Sequence, residues 1–503
     1  MDENLFSVFK RHVPAPEARL METQDGWHLS YAATFEMAER FAAVLTGLQV
    51  QPGDRVAVQI DKSPEAIALY LGCAAAGAVF LPLNTAYTPA EVEFFVGDAE
   101  PRVLVASPER SAALRPVAAA KGACLETMGA RGEGTLLERL REVQPGFAPV
   151  PRTGDDLAAI LYTSGTTGRS KGAMLSHANL TSNAFTLVDY WRFTKDDVLL
   201  HALPIFHTHG LFVATNVTLL AGGSMLFLPG FDADTVLRLL PRATAMMGVP
   251  TFYSRLLARP EFTADLCRNM RLFVSGSAPL SAEVHKAFFE RTGHAILERY
   301  GMTETNMNTS NPYADERRPG TVGFPLPGVD LRIADRETGE ILPKGAVGVI
   351  EVKGPNVFKG YWNLPEKTQE EFRADGFFVT GDMGMIDERG YVHIVGRDKD
   401  LIITGGFNVY PAEVEALIDA IPGVAESAVI GLPHPDFGEG VTAVVALKPG
   451  AQLTEDAIKA ALAEKLAKFK QPKRVFFVPS LKRNTMGKIQ KVELRADYAG
   501  TFA

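Results

Sequence analysis

Short apolar strands alternate with helical segments from the N-terminus to about residue 395, and this alternation limits the fold more than any other feature of the chain. Arg55-Val-Ala-Val-Gln-Ile60, Arg102-Val-Leu-Val-Ala106, Val198-Leu-Leu-His-Ala202, Ser224-Met-Leu-Phe-Leu228 and Arg271-Leu-Phe-Val-Ser275 are nearly continuous apolar runs. A strand without a polar face must be covered on both sides, which points to parallel or mixed sheets flanked by helices. The 503 residues, 46% of them hydrophobic, suffice for a large core and two or more domains. Ala66 to Leu83 carries no charge and just reaches the length of a membrane span. It contains Gly72, Gly77 and Pro82, and it follows Ser63-Pro64-Glu65, a helix start with proline at its first position. We read it as a buried helix followed by the short strand Val79-Phe80-Leu81, and expect no membrane partner.

The pattern changes near residues 380 to 400. Phe378-Val-Thr-Gly-Asp382 and Gly390-Tyr-Val-His-Ile-Val-Gly396 read as strand and turn pieces, followed by the charged run Arg397-Asp398-Lys399-Asp400. Beyond it the order is helix (411 to 419), strand (427 to 430), strand (441 to 447), helix (454 to 469) and strand (474 to 478). About a hundred residues in this order make a small α+β domain. The expected division is a large α/β domain over 1–398 and a small, mobile one over 399–503.

One loop stands out for chemistry: Tyr162-Thr163-Ser164-Gly165-Thr166-Thr167-Gly168-Arg169-Ser170-Lys171-Gly172, directly after the apolar run 157 to 161. Glycines let backbone N–H groups converge on an anion, and the hydroxyls and Lys171 add donors and charge. The loop suits a polyphosphate. It is not a Walker loop, because Ser170 stands where that motif needs glycine before the lysine.

Net charge is −8, and no domain-wide basic excess points to nucleic acid. Cys73, Cys124 and Cys267 have no C-x-x-C spacing, as in a reducing compartment, so a cytoplasmic location is expected. The N-terminus has no signal-peptide pattern.

Four further segments are polar in ways a core does not require. His207 and His209 follow a strand, but no third ligand lies nearby and a metal is disfavoured. Ser275-Gly-Ser277-Ala278-Pro279 opens a helix with small residues that permit close approach by a flat ligand. Glu298-Arg299-Tyr300-Gly301-Met302-Thr303-Glu304 offers an aromatic face and hard oxygen donors suited to Mg²⁺ beside phosphates. Lys482-Arg-Asn-Thr-Met-Gly487-Lys488 can present a lysine on a glycine turn.

Together with Phe378-to-Asp382, Gly396-Arg397, Asp400 and Thr404-Gly405-Gly406-Phe407, these segments resemble, over essentially the full chain, the AMP-forming acyl-CoA synthetases of the adenylate-forming superfamily. The resemblance implies that a carboxylate is activated by ATP to an acyl-adenylate, which CoA then captures. It places Lys488 at the α-phosphate and substrate carboxylate, with His207, Thr303 and Glu304 completing the catalytic set. Thr163, Ser164, Gly165, Thr166, Thr167, Gly168 and Lys171 would hold the β,γ-phosphates, and Thr303 and Glu304 the Mg²⁺. Ser277, Ala278, Pro279, Glu298, Arg299, Tyr300, Gly301 and Met302 would line the adenine pocket, with Asp382 and Arg397 at the ribose. Lys399 would be the hinge, and Gly405, Gly406 and Phe407 would reach the pantetheine channel. Lys468, Lys470, Lys473 and Arg474 are candidates for the CoA phosphates. Lys482 stands where proline often precedes the arginine in this family, while Gly487 and Lys488 are intact.

Within the family the resemblance narrows to malonyl-CoA synthetases. It rests on Ile205-Phe-His207-Thr-His209-Gly, Met247-Gly-Val-Pro-Thr251-Phe-Tyr-Ser-Arg255 and Thr303-Glu-Thr-Asn306-Met307-Asn-Thr-Ser310. It implies malonate as the acid, with His207, Arg255, Ser277 and Met307 around it. A guanidinium in an acyl pocket needs a partner, and a second carboxylate supplies one. Met307 would keep the acid short. The alternatives are a ligase for methylmalonate or an apolar short-chain acid, or a nucleotide-binding or adenylating module that makes no CoA thioester. Acetylation of Lys488 would remove its charge, so a lysine-acetylating partner would inhibit.

Overall fold

The computed structural model describes residues 2–163, 170–404, 407–463, 465–484 and 487–502, with the backbone alone at 398 and 408. Among these residues the strands form four sheets. The largest has nine strands, in the order Phe324–Pro325, Asn306–Ser310, Leu297–Met302, Leu272–Ser275, Ala245–Gly248, Val198–His201, Ser224–Phe227, Arg19–Thr23 and His28–Ser30. Its central six strands are parallel, and antiparallel strands close both edges. The second sheet runs Cys124–Thr127, Val103–Ala106, Arg55–Gln59, Val79–Pro82, Leu157–Thr163 and Lys171–Ser176, parallel except for its last pair. Every residue of Val103–Ala106, Ala245–Gly248 and Leu272–Ser275 is buried, as strands covered on both faces must be. The uncharged stretch is the buried helix Pro64–Ala75 and the strand Val79–Pro82. No helix among the described residues is long and apolar enough to cross a membrane.

A four-stranded antiparallel sheet follows: Asp330–Ala334, Gly348–Lys353, Phe378–Ile386 and Val392–Arg397. Its last pairing sets Asp382 directly opposite Arg397. The fourth sheet comprises Phe407–Val409, Ile402–Thr404, Gly438–Leu447 and Val424–His434, with Arg474–Val478 paired in parallel to Gly438–Leu447. A hydrophobic cluster drawn only from residues between Ile402 and Val475 lies beneath it. The helix expected over 454 to 469 is shorter, Glu455–Ala463. The Gln471 amide donates to the carbonyls of Ala463 and Leu466, which ends the helix early.

Asp419 ends the helix Pro411–Asp419, half-buried, with one carboxyl oxygen unpartnered among the described residues. Burial raises its pKa from 3.8 to about 7; Glu415, Glu283 and Glu426 add to the rise, and Ser427 opposes it. The folded chain therefore keeps a proton that the unfolded chain releases. Its contribution is full below about pH 4 and is lost as pH rises to about 7, above which the site holds a poorly solvated charge. Asp419→Asn is expected to stabilise the protein by on the order of 1–2 kcal/mol at pH 8 and not at pH 4. Urea midpoints at the two pH values check this; equal shifts at both would refute it.

Candidate active site

The antiparallel pairing of Leu157–Thr163 with Lys171–Ser176 sets Thr163 opposite Lys171, so the hydroxyl-rich loop is held at both ends. Ser164, Gly165, Thr166, Thr167 and Gly168 lie outside the described residues. A segment from much later in the chain runs alongside: Trp362 N–H donates to the Gly172 carbonyl, and Ala173 bridges to Tyr361. This places the Tyr361 ring beneath the Lys171 ammonium, 4.0 Å from the ring centre. Lys171 also pairs with Glu371 at 2.9 Å. The Tyr361 hydroxyl lies 2.7 Å from Glu371 Oε2 and 3.0 Å from Glu304 Oε1, joining the two carboxylates. Burial raises the Glu304 pKa; it opposes ionisation of Glu371 too, but hydrogen bonds from Lys171 and Tyr361 outweigh it there. Among the described residues no group of three or more His, Cys, Asp or Glu could cage a metal. A buried carboxylate with one phenol donor and, among the described residues, no paired ammonium or guanidinium does fit Mg²⁺, which takes one or two protein carboxylates and completes its shell with phosphate and water.

Thr303, Glu304 and Thr305 form the tight connection between Leu297–Met302 and Asn306–Ser310. Gly301 is required there, because a Cβ on it would sit 1.8 Å from the Asn306 carbonyl oxygen. One strand turn earlier, the Tyr300 hydroxyl bonds Asp382 Oδ2 at 2.6 Å, and Arg397 Nε bonds Asp382 Oδ1 at 2.6 Å. Lys488 reaches this cleft from the tail, its loop closed by mutual bonds between Asn484 and the Lys488 backbone. Its surface remains open to solvent, but protein surrounds the cleft. That enclosure, then Arg397, lowers its pKa, with Asp382 and Glu304 opposing. Lys399 is held at about 8 by burial and by Arg397.

His209 starts a π-helix, His209–Thr215, a distortion common at functional sites. Its Nδ1 lies 3.2 Å from Ser277 Oγ, while Nε2 is buried without a partner among the described residues. Ser277 holds a left-handed backbone, φ +70°, of the kind stored at ligand sites. His207 is driven to about 3 by burial, then by Lys488 and Arg299, so it is neutral at physiological pH. Ala278 is half-buried and Pro279 exposed. Glu298 is buried with one oxygen unpartnered among the described residues, and burial raises it to about 8, so at neutral pH it is a protonated acid.

Two arginines depart from expectation. Arg255, expected to be the costly guanidinium of the acyl pocket, is exposed on the helix Pro250–Leu257 and has no hydrogen-bond or ion-pair partner among the described residues. It lies one turn beyond Thr251, whose side chain sits beside Gly487, so it shares the face that meets the Lys488 loop. Arg299, expected beside adenine, is buried on the opposite strand face from Tyr300. Met307 is fully buried, its backbone held on both sides by the Asn183 amide.

Of the residues proposed for CoA, Gly405 and Gly406 lie outside the described residues. Phe407 is 57% exposed and stacks on Phe469, 4.7 Å between ring centres. Lys468 is exposed, Lys470 is paired with Glu413, Arg474 is paired with Glu455, and Lys473 lies over the Phe437 ring.

Sequence reasoning did not single out Tyr361 or Glu371. Their only signal is the Gly360-Tyr361-Trp362 turn, an ordinary one, and Lys171 is about 200 residues away. Tyr361→Phe removes the shared donor, and a hydrogen bond to a charged group contributes about 1.5–3 kcal/mol. With ATP and Mg²⁺ held here as the family resemblance implies, the expected result is a drop of about tenfold or more in kcat/KM for ATP and a higher Mg²⁺ requirement. A Mg²⁺ titration of pyrophosphate release checks it; an unchanged titration would make the phenol a packing group only.

Comparison with known proteins places this cleft in context. The chain matches the AMP-binding enzyme family over residues 9–362 and the AMP-binding enzyme C-terminal domain over 413–488. It is 36% identical to a malonate–CoA ligase of Arabidopsis thaliana, covering 88% of this chain and 78% of that protein. It is 37% identical to a feruloyl-CoA synthase of an Amycolatopsis species, covering 93% and 94%. Crystal structures of MatB from Rhodopseudomonas palustris, 59% identical over the full length of both chains, superpose with a TM-score of 0.99 with ATP bound and 0.87 in the apo form.

Proposed function

The chain belongs to the AMP-binding enzyme family, and from that premise we propose that it is a malonate–CoA ligase, using ATP and CoA. The observation that carries the reading is convergence: Lys488, Arg397, Asp382, Tyr300, Glu304 and His207 meet in one cleft although up to about 280 residues separate them. In the first step a malonate oxygen attacks the α-phosphorus of ATP, forming the acyl-adenylate as the bond to pyrophosphate breaks. In the second, the CoA sulfur attacks the acyl carbon and AMP leaves, with loss of the thiol proton.

Both reactants of the first step are anionic, so positive charge must already be in place where charge develops. We assign Lys488 to the α-phosphate and the reacting carboxylate. Its depressed pKa beside Arg397 and Arg299 supports this, since cations crowded in a cleft gain from binding a polyanion. Lys171 and the loop after Thr163 take the β,γ-phosphates, with Lys171 exchanging Glu371 for phosphate. Glu304, with Thr303 beside it, would hold Mg²⁺, which supplies neutralising charge to the phosphates. Asp382, fixed by Arg397 and Tyr300, accepts from the ribose hydroxyls, and Tyr300 with Glu298 and Ser277 to Pro279 bounds the adenine. His207 stays neutral and offers a donor to the acid without a competing charge.

We take 1–398 and 399–503 as the two domains and Lys399 as the hinge between them. The TM-score of 0.99 against the ATP-bound relative, and the lower score of 0.87 against its apo form, support the present arrangement as the adenylating one. Phe407 and Lys468 then serve CoA after rotation, and acetylation of Lys488 would block the first step.

Arg255, exposed on the helix Pro250–Leu257, guides the acid without reading it. An exposed charge pair contributes about 1 kcal/mol or less, so Arg255→Leu is expected to lower kcat/KM for malonate about fivefold at most. Pyrophosphate release and thioester formation with malonate, methylmalonate, succinate, acetate and a long fatty acid test the whole reading. Malonyl-CoA should dominate; a preference for the fatty acid, or release of adenylate without thioester, would overturn it.

A further inference from the structure

We propose that Glu371 is a positioning residue for pyrophosphate release, a built-in anion that takes Lys171 back from the phosphates once the acyl-adenylate has formed. This deepens the adenylating reading and rests on it. Glu371 makes and breaks no covalent bond; the Lys171 ammonium exchanges one anionic partner for another. The exchange matters because adenylate formation is reversible: pyrophosphate that lingers can attack the adenylate and restore ATP.

The first observation is that the phosphate lysine already has a partner. Lys171 Nζ lies 2.9 Å from Glu371 Oε1 and 4.0 Å from the centre of the Tyr361 ring, with both side chains of the pair 21% exposed. An ion pair so shielded is stronger than one on the open surface, because less water screens it. Lys171 closes the hydroxyl-rich loop opposite Thr163, so a phosphate bound there competes with Glu371 for the same ammonium. A site built only for tight phosphate binding would place no carboxylate on that lysine.

The second observation is that Glu371 is fixed and keeps partners when Lys171 leaves. Its N–H donates to the Thr368 carbonyl, its own carbonyl accepts from Val379 N–H, and Oε2 accepts from the Tyr361 hydroxyl at 2.7 Å. Lys367, one helical turn earlier, places a second ammonium 3.3 Å from the same Oε1 that Lys171 occupies. Departure of Lys171 therefore strands no carboxylate, which is what makes a shielded pair costly to break. Lys171 ends a flexible stem and can swing, whereas the carboxylate stays in place.

The third observation is what the competition does. ATP and pyrophosphate each carry several negative charges and outcompete one carboxylate while bound, but the affinity of both is set against Glu371. Weakening substrate and product alike costs little when ATP is abundant, and it speeds escape of the product, a step that limits many enzymes. The Tyr361 hydroxyl also lies 3.0 Å from Glu304 Oε1, so the exchange is joined to the carboxylate assigned to Mg²⁺.

Calorimetric titration of pyrophosphate into the free enzyme, at fixed Mg²⁺, reads the competition directly. Glu371→Gln keeps the shape and an acceptor for Tyr361 but not the charge, and should bind pyrophosphate about tenfold more tightly. KM for ATP and the inhibition constant for pyrophosphate should fall with it. A carboxylate that only supports the fold, or only orients Lys171, would give weaker binding of both when replaced. Lys367→Ala should act in the opposite sense, weakening pyrophosphate severalfold because Glu371 then holds Lys171 harder, and this effect should vanish in the double variant. Unchanged or weaker pyrophosphate binding in Glu371→Gln overturns the proposal. If that variant does not fold, Lys367→Ala decides, and parental pyrophosphate affinity in it overturns the proposal. If the parent releases no pyrophosphate from ATP with any of the acids, the adenylating reading fails instead, whatever the variants do.

Discussion

Lys488→Ala is expected to reduce adenylate formation by about a hundredfold or more, while thioester formation from supplied malonyl-adenylate and CoA largely survives. The lysine approaches a cleft in which Arg397 and Arg299 already repel it, with Asp382 and Glu304 in partial compensation. Its ammonium is held there by the Asn484–Lys488 turn against the cost of that crowding, which is reasonable only if a more negative ligand is due. Removing it takes charge from the transition state, where both reactants bring negative charge, and the loss should fall on kcat with KM for malonate less affected. Pyrophosphate release by the variant measures the first step, and thioester formation from the adenylate measures the second. Near-parental pyrophosphate release would refute the assignment.

Lys399→Pro is expected to impair thioester formation selectively, by about a hundredfold, with adenylate formation less affected. Lys399 lies in the single turn Asp398–Asp400, between Arg397, which is bonded to Asp382, and Asp400, which pairs with Arg495 at 2.7 Å. On the proposed reading, Lys488 in the cleft marks the arrangement for the first step, and the second needs different backbone angles near this turn. Proline fixes φ and removes a donor, a cost of about 3 kcal/mol where the second conformation is incompatible with it. Single-turnover measurement of each half-reaction decides the matter. Equal loss of both steps in a folded protein would remove Lys399 from the hinge.

The sequence argument expected a buried guanidinium at Arg255, and the structure buries a different arginine. A guanidinium near the acid must find a partner, and Arg255 was the cation in the segment concerned. In the structure that helix turns Arg255 to solvent, while Arg299 takes the buried position. Both outcomes follow from side-chain direction, which depends on where each element lies against its neighbours.

The sequence by itself determined the parallel strands, because an apolar run with no polar face can only be covered on both sides. It determined the ends of the hydroxyl-rich loop and the order of helix and strand between residues 411 and 478, since period and caps are local properties; the strands Ile402–Thr404 and Phe407–Val409 and the helix Lys491–Asp497 lay outside that order. Only the tertiary structure decided that Tyr361 and Glu371 stand under Lys171, through hydrogen bonds that join residues near 172 to residues near 362. Only it decided that Tyr300 meets Asp382 while Arg299, adjacent in the chain and on the other face of the strand, is buried with Nε and Nη2 unpartnered among the described residues. Alternation tells that neighbouring side chains part company, but sheet order and packing decide what waits on each side.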